Sequence, residues 1–153
     1  MVNPSDPQVV VKMRELNLSV LEKSLFAQSI NIIPKIRDLD GFLNEYREYK
    51  NVLCESYPEL CFARLNGKAL MMKKKTAEGL EERRSILEKY IEKGTMDDIQ
   101  VRTKELRCMP DDIMDAVCLA VSAALKAHGM CEMIPEEPET DARGLVMQMV
   151  VPK

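Results

Sequence analysis

Four acidic residues stand where the chain can bring carboxylates together. Asp111, Asp112 and Asp115 open a stretch with helical periodicity, and Glu55 ends a short apolar run that is typical of a buried strand. Residues three or four apart share one face of a helix, so Asp115 can lie on the same face as Asp111 or Asp112. Carboxylates are the ligands that Mg²⁺ and Mn²⁺ prefer, and two such ions about 4 Å apart can activate a water for phosphodiester cleavage. The four acids are therefore candidate metal ligands.

The same acids have a simpler interpretation. Aspartates in the first turn of a helix complement its dipole and cap its N–H groups without binding any ligand. Asp115 is harder to explain in this way, because it follows Ile113 and Met114 and precedes a run of small apolar residues. The spacing by itself leaves the capping and the metal-binding interpretations open.

A basic cluster lies between the two acidic regions. Lys73, Lys74 and Lys75 are followed by Arg83 and Arg84, which can hold phosphates as point charges and as forks. Such a run is also typical of solvated surface, and no aromatic residues are interleaved on which single-stranded bases would stack. The net charge is −3 and the pI is near 5.4, so any contact with nucleic acid would have to use this local patch.

The residue counts exclude several other kinds of site. The chain has a single histidine, His128, which is too few for a Ser-His-Asp triad or for a metal site built on several imidazoles, and it stands where a helix is predicted to end. The five cysteines include no C-x-x-C pair, which argues against a disulfide framework and against structural zinc. We therefore expect buried thiols in a reducing compartment.

The acids must be positioned by elements that can be predicted from periodicity and from caps. Residues 1–8 are polar and are expected to be irregular, and 135–144 is expected to be a loop. The predicted elements are a helical stretch over 9–25 with a break near Asn17, a helix with Pro34 in its first turn, a strand over 51–58, a helical turn over 59–65, a helix from the N-cap Thr76 to about Lys93, an amphipathic stretch over 97–106, a helix opened by Pro110, and a terminal strand over 145–151. This is a helix-rich pattern with few strands.

The size and hydropathy of the chain indicate one soluble domain. Its 153 residues, of which 46% are hydrophobic and 31% are charged, have the balance of a globular protein. No apolar run approaches the roughly 20 residues that a membrane span requires. The first thirty residues lack the continuous apolar core of a signal peptide. We therefore predict a single domain over 1–153, a cytoplasmic location and no membrane partner.

Several motifs in the chain, taken in order, resemble a known family. They are Ser29–Asp40, Glu55–Glu59, Lys74–Gly79 with Arg83, Asp111–Ala116 and Asp141–Leu145. Their order and separations are similar to those of the predicted RNase H-like nucleases of domain-of-unknown-function family four-two-nine, from about residue 24 to the C-terminus. The resemblance implies an α/β RNase H-like fold and a two-metal nuclease site that uses Mg²⁺ or Mn²⁺.

The resemblance also implies roles for individual residues. Such enzymes have a glutamate at the end of a central strand and two acids three apart on a late helix, and these places correspond to Glu55, Asp112 and Asp115, with Asp111 as an alternate ligand. The basic positions correspond to Lys74, Lys75 and Arg83, which would contact phosphate in a nucleic acid.

The chain departs from the family pattern at two points. Tyr57 stands where a histidine is common, and no strand-like run bearing an aspartate corresponds to the first strand of the fold. A sheet without its first strands exposes edges and an apolar face, which favours a homo-oligomer or a partner chain that supplies them. We therefore expect either a nuclease-like domain that lacks the first-strand aspartate, or a non-catalytic remnant of that fold that oligomerises or binds a partner.

Overall fold

The computed structural model describes residues 6–153 and divides into two compact units, one ending at Val52 and the other spanning Leu53–Lys153. Within the described residues, six α-helices accompany one two-stranded sheet. The predicted helix-rich α/β composition with few strands is confirmed at that level. None of the helices in this part of the chain has the length and hydropathy of a membrane span.

The first unit contains helices α1 (Pro7–Leu21) and α2 (Ala27–Glu45), followed by a 3₁₀ turn over Arg47–Asn51. Asp6 caps α1 by accepting a hydrogen bond from the Gln8 amide. Pro7 and Gln8 are helical, so the expected irregular start is wrong for them; its first five residues lie outside the described part. The predicted break near Asn17 is also wrong, because α1 is continuous to Leu21.

Helix α2 begins earlier than its proline signal indicated. The prediction placed Pro34 in the first turn, where its missing N–H costs nothing. The helix instead starts at Ala27 and contains Pro34 in its interior. Ile30 and Leu43 are the buried residues of α2, so the face that packs already includes a residue before the proline. The stabilisation from packing that face exceeds the cost of the backbone hydrogen bond that Pro34 cannot form.

The second unit is a helical layer with a small sheet. Helix α3 (Pro58–Asn66) is followed by α4 (Ala77–Leu87), α5 (Thr95–Thr103) and α6 (Pro110–Ala127), and then by strands β1 (Cys131–Ile134) and β2 (Met149–Pro152). The strands pair antiparallel, with Cys131 opposite Pro152 and Ile134 opposite Met149. Helices α3 and α4 both pack against α6, and β2 contacts α3 and α6. The core consists of Cys61, Phe62, Leu65, Ile86, Leu87, Met96, Cys118, Val121 and Val151.

Local signals located the helices of this unit more accurately than the strands. The N-cap at Thr76 is confirmed, because its hydroxyl accepts a hydrogen bond from the Gly79 amide, although α4 ends at Leu87 rather than near Lys93. The helix opened by Pro110 is confirmed, and His128 caps its C-terminal end. The amphipathic stretch corresponds to α5 and a 3₁₀ turn that ends at Leu106.

The predicted strand over 51–58 is wrong. Only Glu55 pairs in that segment, through an isolated parallel bridge to Met149. The terminal strand is confirmed with shifted bounds, and its partner β1 was not predicted. The loop before β2 is irregular apart from a bridge between Thr140 and Val146.

The burial of the cysteines is mixed. Cys61 and Cys118 are fully buried in the core, as predicted, whereas Cys54 and Cys108 are exposed and Cys131 is intermediate. The expectation that the thiols are buried is therefore confirmed for two of the five and is wrong for the two exposed ones.

Candidate functional site

Helix α6 presents two carboxylates towards the loop before α4. Asp111 and Asp115 are four residues apart and so lie on one face of the helix. Asp111 is 5% exposed, whereas Asp112 between them is exposed. Pro110 stands in the first turn of α6, and the packed face of the helix, which includes Cys118 and Val121, is the face on which Asp111 lies. The structure thus brings together Asp111 and Asp115 rather than the predicted pair Asp112 and Asp115.

Lys74 lies between these two carboxylates. Its Nζ atom is 3.0 Å from Oδ2 of Asp115 and 3.8 Å from Oδ2 of Asp111. The hydrogen bond to Asp115 raises the pKa of Lys74 above its usual value, and the charges of Asp115, Asp111 and Glu59 raise it further against the opposing effect of burial. The predicted basic position at Lys74 therefore faces acids, and its ammonium group is held in the charged form.

A second ion pair lies beside the first and is more deeply buried. Arg83 on α4 is 2% exposed and donates from Nη2 to both carboxylate oxygens of Glu59 on α3, at 2.8 and 2.7 Å. Its Nη1 donates to the carbonyl of Gly79 at 3.1 Å, and its guanidinium carbon lies 5.4 Å from the centre of the Phe62 ring. The predicted phosphate ligand Arg83 is therefore engaged by Glu59 and shielded from solvent. Lys75, the other predicted phosphate ligand, is exposed.

The loop that carries Lys74 is anchored at both sides of it. The amides of Met71 and Met72 donate to the two carboxylate oxygens of Glu82, at 3.1 and 3.0 Å. On the other side, the amide of Thr76 donates to the carbonyl of Lys73, and Thr76 caps α4. The backbone around Lys74 is thus held in place, and its long side chain is the part that can change partner.

Glu55 is placed differently from the other predicted ligands. Its backbone carbonyl accepts a hydrogen bond from the Val150 amide at 2.9 Å, which ties the segment before α3 to β2. Its side chain is exposed. Across residues 6–153, no group of three or more His, Cys, Asp or Glu side chains is arranged to hold a metal ion, so Glu55, Asp112 and Asp115 do not form such a group. Their role as metal ligands stays a prediction.

Two polar atoms of the site are buried without a hydrogen-bond partner. They are Oδ1 of Asp115 and Nε of Arg83. The five charged groups of the site, Asp111, Asp115, Glu59, Lys74 and Arg83, carry three negative and two positive charges, so one negative charge is in excess. A buried carboxylate oxygen without a donor is costly, and a cation or an ordered water is the usual partner.

These observations allow the fit of a divalent cation to be tested. Asp111 and Asp115 offer carboxylate oxygens on one helix face, and Asp115 Oδ1 is a buried acceptor that Lys74 leaves unpaired. Mg²⁺ is commonly held by one or two carboxylates together with waters and substrate phosphates. The pair therefore fits one such ion. A second ion would need further carboxylates, which the described residues do not bring to this place.

Glu59 is the part of the site that sequence reasoning missed. It follows Pro58 in the first turn of a helix, where an acid is sufficiently explained by the helix dipole. Its partner Arg83 is 24 residues away, and nothing in the spacing couples the two. The one available signal was that an arginine stands among the inward-facing residues of α4, because a buried arginine requires a partner.

Comparison with protein families gives a match. A family model described as "Protein of unknown function (DUF429)" matches residues 2–140. Neither a curated protein nor a solved structure matches the chain significantly.

Proposed function

The chain belongs to the DUF429 family. On that premise we propose that its second unit, Leu53–Lys153, is an RNase H-like domain that hydrolyses phosphodiesters. It would use one Mg²⁺ or Mn²⁺ ion, held by Asp111 and Asp115. The resemblance to predicted nucleases supplies the reaction class. The observation that carries the proposal is the buried Oδ1 of Asp115, which has no partner although Oδ2 of the same carboxylate is paired with Lys74.

The chemistry follows from the positions of the side chains. A bound divalent ion supplies Lewis-acid polarisation of a phosphoryl oxygen and lowers the pKa of a coordinated water. Asp111 and Asp115 hold the ion from one helix face, and the partial burial of their carboxylates strengthens every charge interaction there. Lys74 and the exposed Lys75 provide positive charge for the phosphates of a nucleic acid.

The ion pair of Arg83 with Glu59 supports the site without touching the substrate. It joins α4 to α3, and the Nη1 donor of Arg83 bonds to Gly79 in the first turn of α4. Gly79 packs so closely on the carbonyl of Lys73 that a Cβ atom would lie 2.0 Å from that oxygen. The Arg83–Glu59 pair thereby fixes the first turn of α4, which contacts the loop that carries Lys74. Arg83 and Glu59 are positioning residues.

The test of this function is metal binding together with hydrolysis. Mn²⁺ is titrated by calorimetry into the wild type, into Asp111→Asn/Asp115→Asn and into Asp112→Asn, the exposed neighbour, which serves as a matched control. We expect binding in the wild type and in the control and its loss in the double variant. Labelled DNA and RNA, each single- and double-stranded, are then incubated with Mn²⁺ and each protein. Equal heats in the wild type and in the double variant would remove the proposed site.

A second candidate is favoured by the first unit. Helix α1 has no buried residue. Its large exposed apolar residues are Val11, Leu16, Leu18, Val20 and Leu21. Such an apolar surface is typical of an interaction site, so we propose as the alternative a non-catalytic protein that oligomerises or binds a partner through this helix. Sedimentation velocity distinguishes the two, since a monomer at the highest attainable concentration contradicts self-association.

A further inference from the structure

The contact of Lys74 with the two aspartates differs in kind from the neighbouring ion pair. Lys74 is 37% exposed, and its Nζ makes one hydrogen bond, to Asp115, with Asp111 at a longer distance. Arg83 is almost fully buried and forms a two-point contact with Glu59. A partly exposed lysine pair is worth little in free energy and exchanges partners easily, whereas a buried fork is costly to break.

The ammonium group of Lys74 lies in the space between the two carboxylates that would hold a divalent cation. A cation held by both would use the unpaired Oδ1 of Asp115 and an oxygen of Asp111, while Lys74 Nζ already lies 3.0 Å from Oδ2 of Asp115 and 3.8 Å from Oδ2 of Asp111. The ammonium group and a divalent ion cannot both stay beside the same two carboxylates, because their mutual repulsion in a half-buried site is large. Binding of the ion therefore requires the Lys74 side chain to leave.

The surrounding structure limits how far Lys74 can go. Hydrogen bonds from Met71 and Met72 to Glu82 anchor the loop on one side, and the Thr76 cap anchors it on the other. The side chain can rotate towards solvent while its Cα stays beside α6. After displacement, the ammonium group remains tethered beside α6 by its own side chain.

The geometry points to Lys74 as an internal counter-cation that keeps the Asp111–Asp115 pair closed until a divalent metal displaces it, and that then contacts the phosphate of the substrate. This inference rests on the proposed function, because it assumes that the pair binds a divalent ion. The inference is that Lys74 and the metal compete for the same two carboxylates. Lys74 therefore lowers the affinity for the metal in the absence of phosphate.

The first experiment compares Mn²⁺ affinity by calorimetry in the wild type, Lys74→Met, Lys74→Arg and the matched control Lys75→Met. Removal of the competitor is expected to tighten Mn²⁺ binding about two- to fivefold in Lys74→Met, the range of a partly exposed ion pair. Lys74→Arg, which retains the charge, and Lys75→Met, which alters the exposed neighbour, are expected to bind as the wild type does. Circular dichroism confirms that each variant is folded.

The second experiment follows Lys74 directly in the unmodified protein. Brief acetylation with an amine-reactive ester, followed by mass spectrometry of peptides, measures the reactivity of each lysine with and without Mn²⁺. Once released from Asp115, the Lys74 side chain can lose its proton more easily, and its neutral amine is expected to be acetylated several-fold faster in the presence of Mn²⁺, whereas Lys75 is expected to react equally in both conditions.

The outcomes separate this inference from the function on which it rests. If the wild type binds Mn²⁺ but Lys74→Met binds it equally or more weakly, and the acetylation of Lys74 does not change, the competition is refuted and the metal site stands. If Mn²⁺ binds to Lys74→Met alone, the competition is supported in its strongest form. If neither protein binds Mn²⁺, both the metal site and the competition are overturned.

Discussion

Replacing Glu59 by glutamine removes one charge from the most buried ion pair of the second unit. Arg83 then keeps its hydrogen bond to the Gly79 carbonyl and its position over the Phe62 ring, but its guanidinium loses the carboxylate that balances it. Since Arg83 is 2% exposed, water cannot take over the solvation of the charge. The glutamine side chain has nearly the same volume, so the change in stability reports on charge rather than on packing.

The size of the effect follows from the exposure of the two partners. Removing one member of a fully buried pair costs about 3–5 kcal/mol. The Glu59 side chain is 33% exposed, and a glutamine oxygen can still accept one hydrogen bond from Arg83. We therefore expect a loss of about 2–3 kcal/mol in the free energy of unfolding, at or below the lower limit of the range for fully buried pairs. For a unit of this size, that corresponds to a fall of very roughly 10–20 °C in Tm.

The assay is urea unfolding followed by circular dichroism, with Glu88→Gln as the matched control. Glu88 pairs with Arg84 on the solvent side, four residues away along the chain, at 2.8 Å. Exposed pairs of this kind contribute about 0.3–0.5 kcal/mol, so the control should hardly change the unfolding midpoint. A Glu59→Gln variant within 1 kcal/mol of the control would refute the argument that burial makes this pair stabilising.

Three further measurements test the local structure. The pKa of Lys74 in the folded protein is raised above 10.5, so the charged side chain should stabilise the fold fully below pH 10.5 and lose this effect as the pH rises through the raised pKa. The difference in unfolding free energy between the wild type and Lys74→Met should therefore become smaller at high pH. Gly79→Ala should destabilise by about 1–3 kcal/mol despite the helix propensity of alanine, because the new Cβ would meet the carbonyl of Lys73; a more stable variant would contradict that contact. Cys61 and Cys118, which are fully buried, should resist an alkylating reagent until urea unfolds the chain; rapid alkylation of either thiol in the folded protein would contradict its burial in the core.

The helices of the second unit could be predicted because their signals are local. Thr76 and Pro110 act within one turn of the helix that they start, so the sequence carries the whole information. The sheet could not be predicted in the same way. Strands β1 and β2 have four residues each, and their pairing depends on contacts across about eighteen residues of chain. The apolar run before Glu55 was interpreted as a strand, yet that segment forms a single bridge.

The candidate site could be predicted in part for the same reason. The sequence places the acids of α6 in the first turns of one helix, but which of Asp111 and Asp112 is buried depends on the rotational phase of the helix against its neighbours. Asp111 is buried and Asp112 is exposed because the packed face of α6 also contains Cys118, seven residues beyond Asp111. Periodicity read from Cys118 back towards the N-terminus would have favoured Asp111.

The same contacts govern the stability of the second unit and its proposed chemistry. Glu59 and Arg83 join α3 to α4, and Lys74 joins the loop before α4 to α6, so these ion pairs connect three helices around the aspartate pair. A variant that lowers activity by loosening this arrangement could be mistaken for one that removes a metal ligand. Lys74 distinguishes the two cases by its effect on metal affinity. If Lys74 competes with the metal, its removal should reduce stability and yet tighten Mn²⁺ binding, whereas a loosened site should reduce both stability and Mn²⁺ affinity. Stability and metal affinity measured on the same variant therefore separate a role in positioning from a role in competition.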